Sequence, residues 1–444
     1  MIIEGLIIIL VALVVLFSGM PLAFAFGVTG ILCGLLFGAS GPLDMMAHIM
    51  YGGVHSFELL TLPLFILMGI VLAHSPAGSD LYETLHRFLF RLPGGLAMSN
   101  VWACSIFAAM CGSSPATAAA IGSTGIPEMR KHGVSDTLAT GCIVGGGTLG
   151  ILIPPSITFI IYGIATETSI GKLFIAGVIP GILITFLFSL WVLIYSLYRR
   201  SKGERGKDAD LQAPVRHGYT WTERIQHLPR VIPFVLLITL IMVSIYGGIA
   251  TPSEAAAIGA SASIVLVILF YRKTITLKSI VAIMQKTVNE SAMIMLIAAT
   301  TVFFQSVLTD LNVTQQIVQF IVTMESNRWL VMTLINLLLL LLGCFLPPFA
   351  IILLTAPMLH PLIVRLGFDP IWFGVIVTIN MEAGCITPPF GINLYVVKGI
   401  APDIPMAQIL RGSLPFLTIL LLGILIVSAF PQLALFLPQH MFGR

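Results

Sequence analysis

Two stretches of the chain set hard oxygen donors beside backbone that cannot remain helical. The first is Cys111-Gly112-Ser113-Ser114-Pro115-Ala116-Thr117, which brings a glycine, a proline and three hydroxyls together. Its companion is Gly145-Gly146-Gly147-Thr148-Leu149-Gly150, leading into Ile153-Pro154-Pro155-Ser156. Carbonyls at the C-terminus of a half-helix coordinate a cation, and amides at the N-terminus of the next attract an anion. Gly112, Ser113, Ser114, Thr117, Thr148, Gly150 and Pro154 therefore form a candidate Na+ site, with Ser156 placed to meet an organic solute. The competing reading is that small residues merely let helices pack closely. Their position at a proline break, repeated later in the chain, favours the ion site.

The later stretch is Phe345-Leu346-Pro347-Pro348-Phe349 together with Asn380-Met381-Glu382-Ala383-Gly384-Cys385-Ile386-Thr387-Pro388-Pro389. Its tip carries no hydroxyl. A second Na+ site would use carbonyls of Phe345, Leu346 and Gly384 with the side chains of Thr355, Asn380 and Thr387. Glu382 and Asn393 are the candidate solute contacts here. An acid inside an apolar segment is a functional suspect by default, although an aqueous rim or a protonated core would also accommodate Glu382. By contrast, Thr251-Pro252-Ser253-Glu254 has a sufficient local role, since Thr251 can cap a helix that opens on proline and Glu254 can close the box.

Other chemistries lack their residues. No nucleophile–base–orienter set stands out, and no GxxxxGK[ST] phosphate loop occurs, so the sequence reads as neither an enzyme nor an ATPase. The six cysteines form no CxxC pair and the nine histidines are scattered, which leaves no metal other than Na+ and no organic cofactor to expect. An intramembrane hydrolase would need a partner for Glu382 that the sequence does not offer.

The elements that must position these residues are membrane helices. Of 444 residues, 57% are hydrophobic and 9% charged, far too little charge to cover a water-soluble surface. A crossing needs about 20 apolar residues, and candidates run over 2–18, 20–38, 57–74, 177–198, 230–249, 252–271, 288–308 and 413–436. The first of these lacks a basic leader and is followed at once by another apolar run, so it reads as a membrane helix and not a cleaved signal. Two pairs of short apolar stretches, 96–111 with 115–130 and 328–345 with 349–364, fold naturally into re-entrant hairpins. Segments 134–166 and 370–399 are interrupted at Pro154-Pro155 and Pro388-Pro389, where proline removes a donor and breaks the helix. Amphipathic segments 43–55, 78–91, 276–287 and 312–325 read as interfacial arms.

A shift of 234 residues superposes Pro127 on Pro361, Gly133 on Gly367, Gly150 on Gly384 and Pro154-Pro155 on Pro388-Pro389. Generic apolar similarity does not align prolines and glycines in this way, so the chain contains two copies of one unit. Five crossings separate the two hairpins, an odd number, which inverts the second copy. If the first hairpin opens to the cytoplasm, 18 of the 22 Lys and Arg residues lie inside, and only Lys172, Arg328, Arg365 and Arg444 lie outside. Both termini are then periplasmic. The basic linker 199–230 is a topology signal and not a nucleic-acid site. The predicted fold is an all-α polytopic membrane protein of inverted repeats, with two re-entrant hairpins and two discontinuous helices. It divides into scaffold helices and an arm (1–95), a first transport half (96–176), connecting scaffold with linker and arms (177–327), a second transport half (328–412) and a last helix and tail (413–444).

Gly112-Ser-Ser-Pro-Ala-Thr-Ala-Ala-Ala-Ile-Gly122, Ile153-Pro-Pro-Ser-Ile157, Thr251-Pro-Ser-Glu-Ala-Ala256 and Ile386-Thr-Pro-Pro-Phe-Gly391 together resemble the large membrane subunit of tripartite ATP-independent periplasmic (TRAP) transporters, over essentially the whole chain. The resemblance implies a Na+-coupled elevator in the inner membrane. It also implies organic-acid uptake with a small four-helix membrane subunit and a periplasmic substrate-binding protein. It places one Na+ site between the first tip and the first broken helix and a second in the inverted copy. The tip Ser-Ser-Pro-Ala-Thr departs from the Ser-Gly-Ser-Ala type of sialic-acid members, which points to a C4-dicarboxylate or related acid. A stand-alone ion-coupled carboxylate or ion transporter with the same plan and no binding protein is the alternative.

Overall fold

The computed structural model describes residues 7–8, 11–12, 14–15, 18–201, 219–272, 276–313, 315–316, 319 and 327–441. Most of the predicted helix 2–18, arm 312–325 and linker 199–230 lies outside the described residues. Among the described residues all regular structure is helical.

Each half of the chain contains the same succession of elements. In the first, Gly95–Cys111 and Ser114–Lys131 form a hairpin whose turn is only Gly112 and Ser113. Gly112 takes φ +62, a left-handed C-cap that glycine adopts without a Cβ clash. Pro115 sits in the first turn of the returning helix, where its missing N–H costs nothing. The hairpin leads through Gly133 (φ +80) into Asp136–Thr148, a short tight turn at Leu149–Ile151, an irregular stretch and then Ile157–Thr166. In the second half, Arg328–Gly343 and Pro348–Arg365 form the hairpin, Gly367 (φ +75) follows, and Pro370–Cys385 is separated by a break from Ile392–Ile400. Ser135 and Asp369 cap the corresponding helix starts, each through its side-chain oxygen. The Pro154-Pro155 and Pro388-Pro389 bonds are both cis.

The two broken helices form the centre. Every residue from Ala139 to Thr148 and from Trp372 to Cys385 is buried, as befits helices that are apolar all round. Leu228–Tyr246 and Pro252–Tyr271 lie outside them and expose Leu236, Leu240, Val243, Val265 and Leu269, the faces that lipid covers. Among the described residues, six helices are long and apolar enough to cross a bilayer, or seven if the bent pair Met46–Val54 and Phe57–Ala73 is one span. Close approach at the centre depends on glycine. A Cβ on Gly412 would lie 2.1 Å from the Thr137 carbonyl oxygen, and one on Gly141 would lie 2.3 Å from the Gly412 oxygen. Helices Met406–Ala429 and Asp136–Thr148 therefore meet backbone to backbone.

Three boundaries differ from the sequence expectation. The predicted arm 276–287 and crossing 288–308 are one helix, Leu277–Asp310, because neither Pro nor Gly interrupts the run and Thr276 caps its start. Asn289 and Glu290 consequently sit in the middle of that helix. The predicted crossing 413–436 begins earlier and ends at Ala429, with Gln432–Met441 a separate helix, since Pro431 lies between them. The predicted 177–198 is the core of a longer helix, Ile170–Ser201. At Thr251 both halves of the capping box are present, as the local reading required.

Replacing Gly412 with alanine should destabilise the protein by at least about 1–3 kcal/mol through overpacking against backbone. Gly399→Ala, where a Cβ meets nothing within 4 Å, should be neutral or slightly stabilising. Thermal unfolding of the two variants in detergent checks the contrast.

Candidate functional site

The first candidate site is assembled by contact between the hairpin tip and the break of the first broken helix. The Ile157 amide, just past the break, donates to the Gly112 carbonyl at 3.4 Å. A Cβ on Gly112 would approach the Pro155 oxygen to 2.8 Å, and one on Gly150 would come within 2.5 Å of the Ser113 oxygen. Gly112 thus packs on Pro155 and Gly150 on Ser113, each closer than a Cβ would allow. Thr117 stands one turn into the returning helix and donates its hydroxyl to the Ser113 carbonyl at 2.9 Å. Thr148, buried, donates to the Gly145 carbonyl at 2.7 Å. Ser156 is wholly buried, its hydroxyl donating to the Ile151 carbonyl and accepting from the Phe159 amide at 3.4 Å. The hydroxyls of Thr117, Thr148 and Ser156 therefore bind local carbonyls in this structure, while Ser113 keeps a half-buried position at the tip.

Ser114 and Asn393 were assigned separately, one to an ion and one to a solute, and the structure joins them. Asn393 Nδ2 donates to Ser114 Oγ at 2.8 Å and to the Val144 carbonyl at 3.2 Å, while Ser114 Oγ lies 3.1 Å from Asn393 Oδ1. Both residues are fully buried. One amide thereby ties the first hairpin tip, the first broken helix and the second broken helix together. At the end of the same assembly Arg130 pairs with Asp136 at 2.9 Å and Asp403 at 2.7 Å, joining the first hairpin to the loop after the second broken helix. The hydrogen bond from Arg130 holds the Asp403 carboxyl below its ordinary range.

The second candidate site is built the same way with poorer ligands. The Phe390 amide, past the second break, donates to the Cys344 carbonyl at 3.1 Å. Gly384 packs directly on Gly343. The Phe345 and Phe390 rings meet edge to face at 6.2 Å, and Leu346 is buried. The Thr355 and Thr387 hydroxyls donate to carbonyls of their own helices, Ile351 at 2.8 Å and Ala383 at 2.6 Å. Asn380 Nδ2 donates to Asn336 Oδ1 across the helix pair, a partner the sequence reading missed although Asn336 interrupts a leucine run. Gln305 was missed as well. It lies in Leu277–Asp310 and donates to the Leu353 carbonyl of the second hairpin. The second break also differs in exposure. Pro388, Pro389 and Phe390 are exposed, whereas Pro154, Pro155 and Ser156 are buried.

Glu382 is wholly enclosed, and neither carboxylate oxygen has a hydrogen-bond partner among the described residues. No cluster of three or more His, Cys, Asp or Glu residues that could hold a metal occurs among the described residues, and the six cysteines are all buried.

Helices that span a membrane, packed around two hairpin tips and two interrupted helices with buried polar groups, define a membrane transporter. The chain belongs to the DctM component family of tripartite ATP-independent periplasmic transporters, whose model matches residues 9–433. It is 36% identical to the C4-dicarboxylate TRAP transporter large permease protein DctM of Pseudomonas aeruginosa over 93% of either chain. Against the sialic acid TRAP transporter large permease protein SiaM of Vibrio cholerae it is 32% identical, covering 96% of this chain and 97% of that one. The isethionate TRAP transporter permease protein DctMQ of Oleidesulfovibrio alaskensis is 31% identical over 94% of this chain, which covers 64% of that longer protein. Among solved structures, the YdaH transporter of Alcanivorax borkumensis has the same fold, with a TM-score of 0.63 at 14% identity, covering 97% of this chain and 99% of that one. The chain is thus a large TRAP permease, a multi-span membrane protein of a family of transporters and not of enzymes.

Because Ser114 and Asn393 satisfy each other, their single alanine variants should not be additive. Thermal unfolding of Ser114→Ala, Asn393→Ala and the double variant should give a coupling energy of about 0.5–3 kcal/mol, each single change leaving a buried polar group without its partner.

Proposed function

We propose that the protein takes up a small organic acid, a C4-dicarboxylate or related carboxylate, in symport with Na+. The solute is delivered by a periplasmic binding protein, and a small four-helix membrane subunit completes the permease. Hairpins and broken helices move together as the transport body against the remaining helices and arms, in an elevator motion. The observation that carries this reading is the pairing of each hairpin tip with one helix break by a single backbone hydrogen bond, Ile157 to Gly112 and Phe390 to Cys344. Each pairing concentrates helix ends and backbone carbonyls in the middle of an apolar protein, where a monovalent cation and a carboxylate are both attracted by backbone alone. The first pairing, with the Ser113 and Thr117 hydroxyls at its tip, is the better Na+ site. The second offers Phe345, Leu346, Gly384 and Thr387 around a tip without hydroxyls. Relatives named for C4-dicarboxylates support the solute class.

Reconstituted in liposomes with its membrane partner and binding protein, the permease should accumulate a C4-dicarboxylate only under an inward Na+ gradient. Uptake that ignores Na+ would refute the coupling, and uptake without the binding protein would favour the stand-alone alternative.

The charge distribution supports an inner-membrane orientation with both termini periplasmic. A cysteine introduced as Arg205→Cys should react with a membrane-impermeant thiol reagent only from the cytoplasmic side; labelling of intact cells from outside would reverse the topology.

A further inference from the structure

Pro357 lies inside Pro348–Arg365, the returning helix of the second hairpin. It has no amide to give to the Leu353 carbonyl one turn before it, so that carbonyl lacks its helical donor. The shift of 234 residues puts Ser123 at this place in the first hairpin, with its amide intact. The orphaned carbonyl therefore has no counterpart there. Gln305 supplies the missing donor, its Nε2 donating to the Leu353 carbonyl. The helix that carries Gln305, Leu277–Asp310, packs on Leu22–Phe37, Met46–Val54 and Thr61–Ala73, all in the scaffold portion of the chain. One side-chain bond thus runs from the scaffold to the hairpin.

An apolar cavity of about 150 Å³ borders that bond. Ala298 and Val302 wall it on the scaffold side, and Ile161, Ile164 and Pro357 wall it on the other. Among the described residues that line it, Gln305 alone has a polar side chain. A hydrogen bond fails beyond about 3.5 Å, so a sliding hairpin loses this one, and the wall offers no second polar side chain to replace it. A carbonyl left without a donor inside a membrane protein is costly.

We propose that Gln305 is a catch on the moving body. Its bond to the carbonyl that Pro357 orphans favours this one position of the second hairpin, and so sets how often the body leaves it. The proposal rests on the elevator reading above and gives the sliding surface one specific polar contact.

The arm Ala77–Leu89 can report where the body stands. The three atoms nearest to a Cβ at Gly78 belong to Ile121, Phe107 and Ala120 of the first hairpin, with the Ala120 Cβ 3.6 Å away. A thiol introduced as Gly78→Cys is therefore covered while the body stays and exposed once it leaves. In the reconstituted permease a membrane-permeant maleimide labels it, and the chain without that thiol gives the background. Labelling should be about two- to tenfold faster in Gln305→Met, the worth of one hydrogen bond. Pro357→Ala returns the helical amide in every position of the hairpin, so it should speed labelling as well. Adding Gln305→Met to it should then change the rate by less than about twofold. Should Gln305→Met fail to fold, Pro357→Ala alone carries the test, because it leaves Gln305 in place. Unchanged labelling in either single variant, or effects that simply multiply in the double variant, would overturn the catch. The elevator reading is checked separately. Gly78→Cys with Ala120→Cys lies at disulfide distance, and its oxidation should stop uptake until it is reduced. Uptake that survives the disulfide would refute the elevator motion and the catch with it. A block by the disulfide, with labelling indifferent to Gln305→Met, would refute the catch alone.

Discussion

The structure depends on keeping interrupted backbone away from lipid. Within a bilayer an amide or carbonyl without a partner costs several kcal/mol, so a broken helix survives only where protein encloses it. Here each break lies against a hairpin tip, and one amide past the break donates to one carbonyl at the tip. The rest of the architecture serves that pairing. The hairpins bring the tips to the centre, the outer helices wall off the lipid, and glycines at 112, 150, 343 and 384 remove the side chains that would hold tip and break apart.

This constraint explains how a transport site can be made with almost no charge. The polar groups at the centre are carbonyls, hydroxyls and amides already bound to one another, as in the triangle of Asn393, Ser114 and Val144. Such groups are satisfied in the protein yet retain lone pairs that an ion can use. Among the described residues, the Glu382 carboxylate and the Oδ1 of Asn380 are enclosed without a hydrogen-bond partner.

The two halves share a plan and differ in chemistry. The first tip has three hydroxyls in its sequence and a buried break; the second has prolines, an aromatic pair at Phe345 and Phe390, and an exposed break. Asn393 crosses between them, so the halves are mechanically joined at the site as well as alike in sequence. Gln305 adds a link from the long helix Leu277–Asp310 to the second hairpin, and such a link must alter if one body slides past the other.

Much of the architecture was legible in the sequence because prolines, glycines and caps act locally. Pro115 and Pro348 open returning helices, Thr251 caps a helix start with Glu254 closing the box, and Pro154-Pro155 and Pro388-Pro389 end helices. These are properties of a few adjacent residues. Where local signals were absent the boundary went astray, as in the merging of 276–287 with 288–308 into Leu277–Asp310. What tertiary structure alone decided are the partnerships between distant residues: Ser114 with Asn393, Asn380 with Asn336, Gly384 with Gly343. An apolar segment shows that a polar residue within it needs a partner, but the partner's identity depends on which helix faces lie together. Spacing along one chain cannot encode that choice, because many equally apolar faces compete for each contact and only the packed whole selects among them.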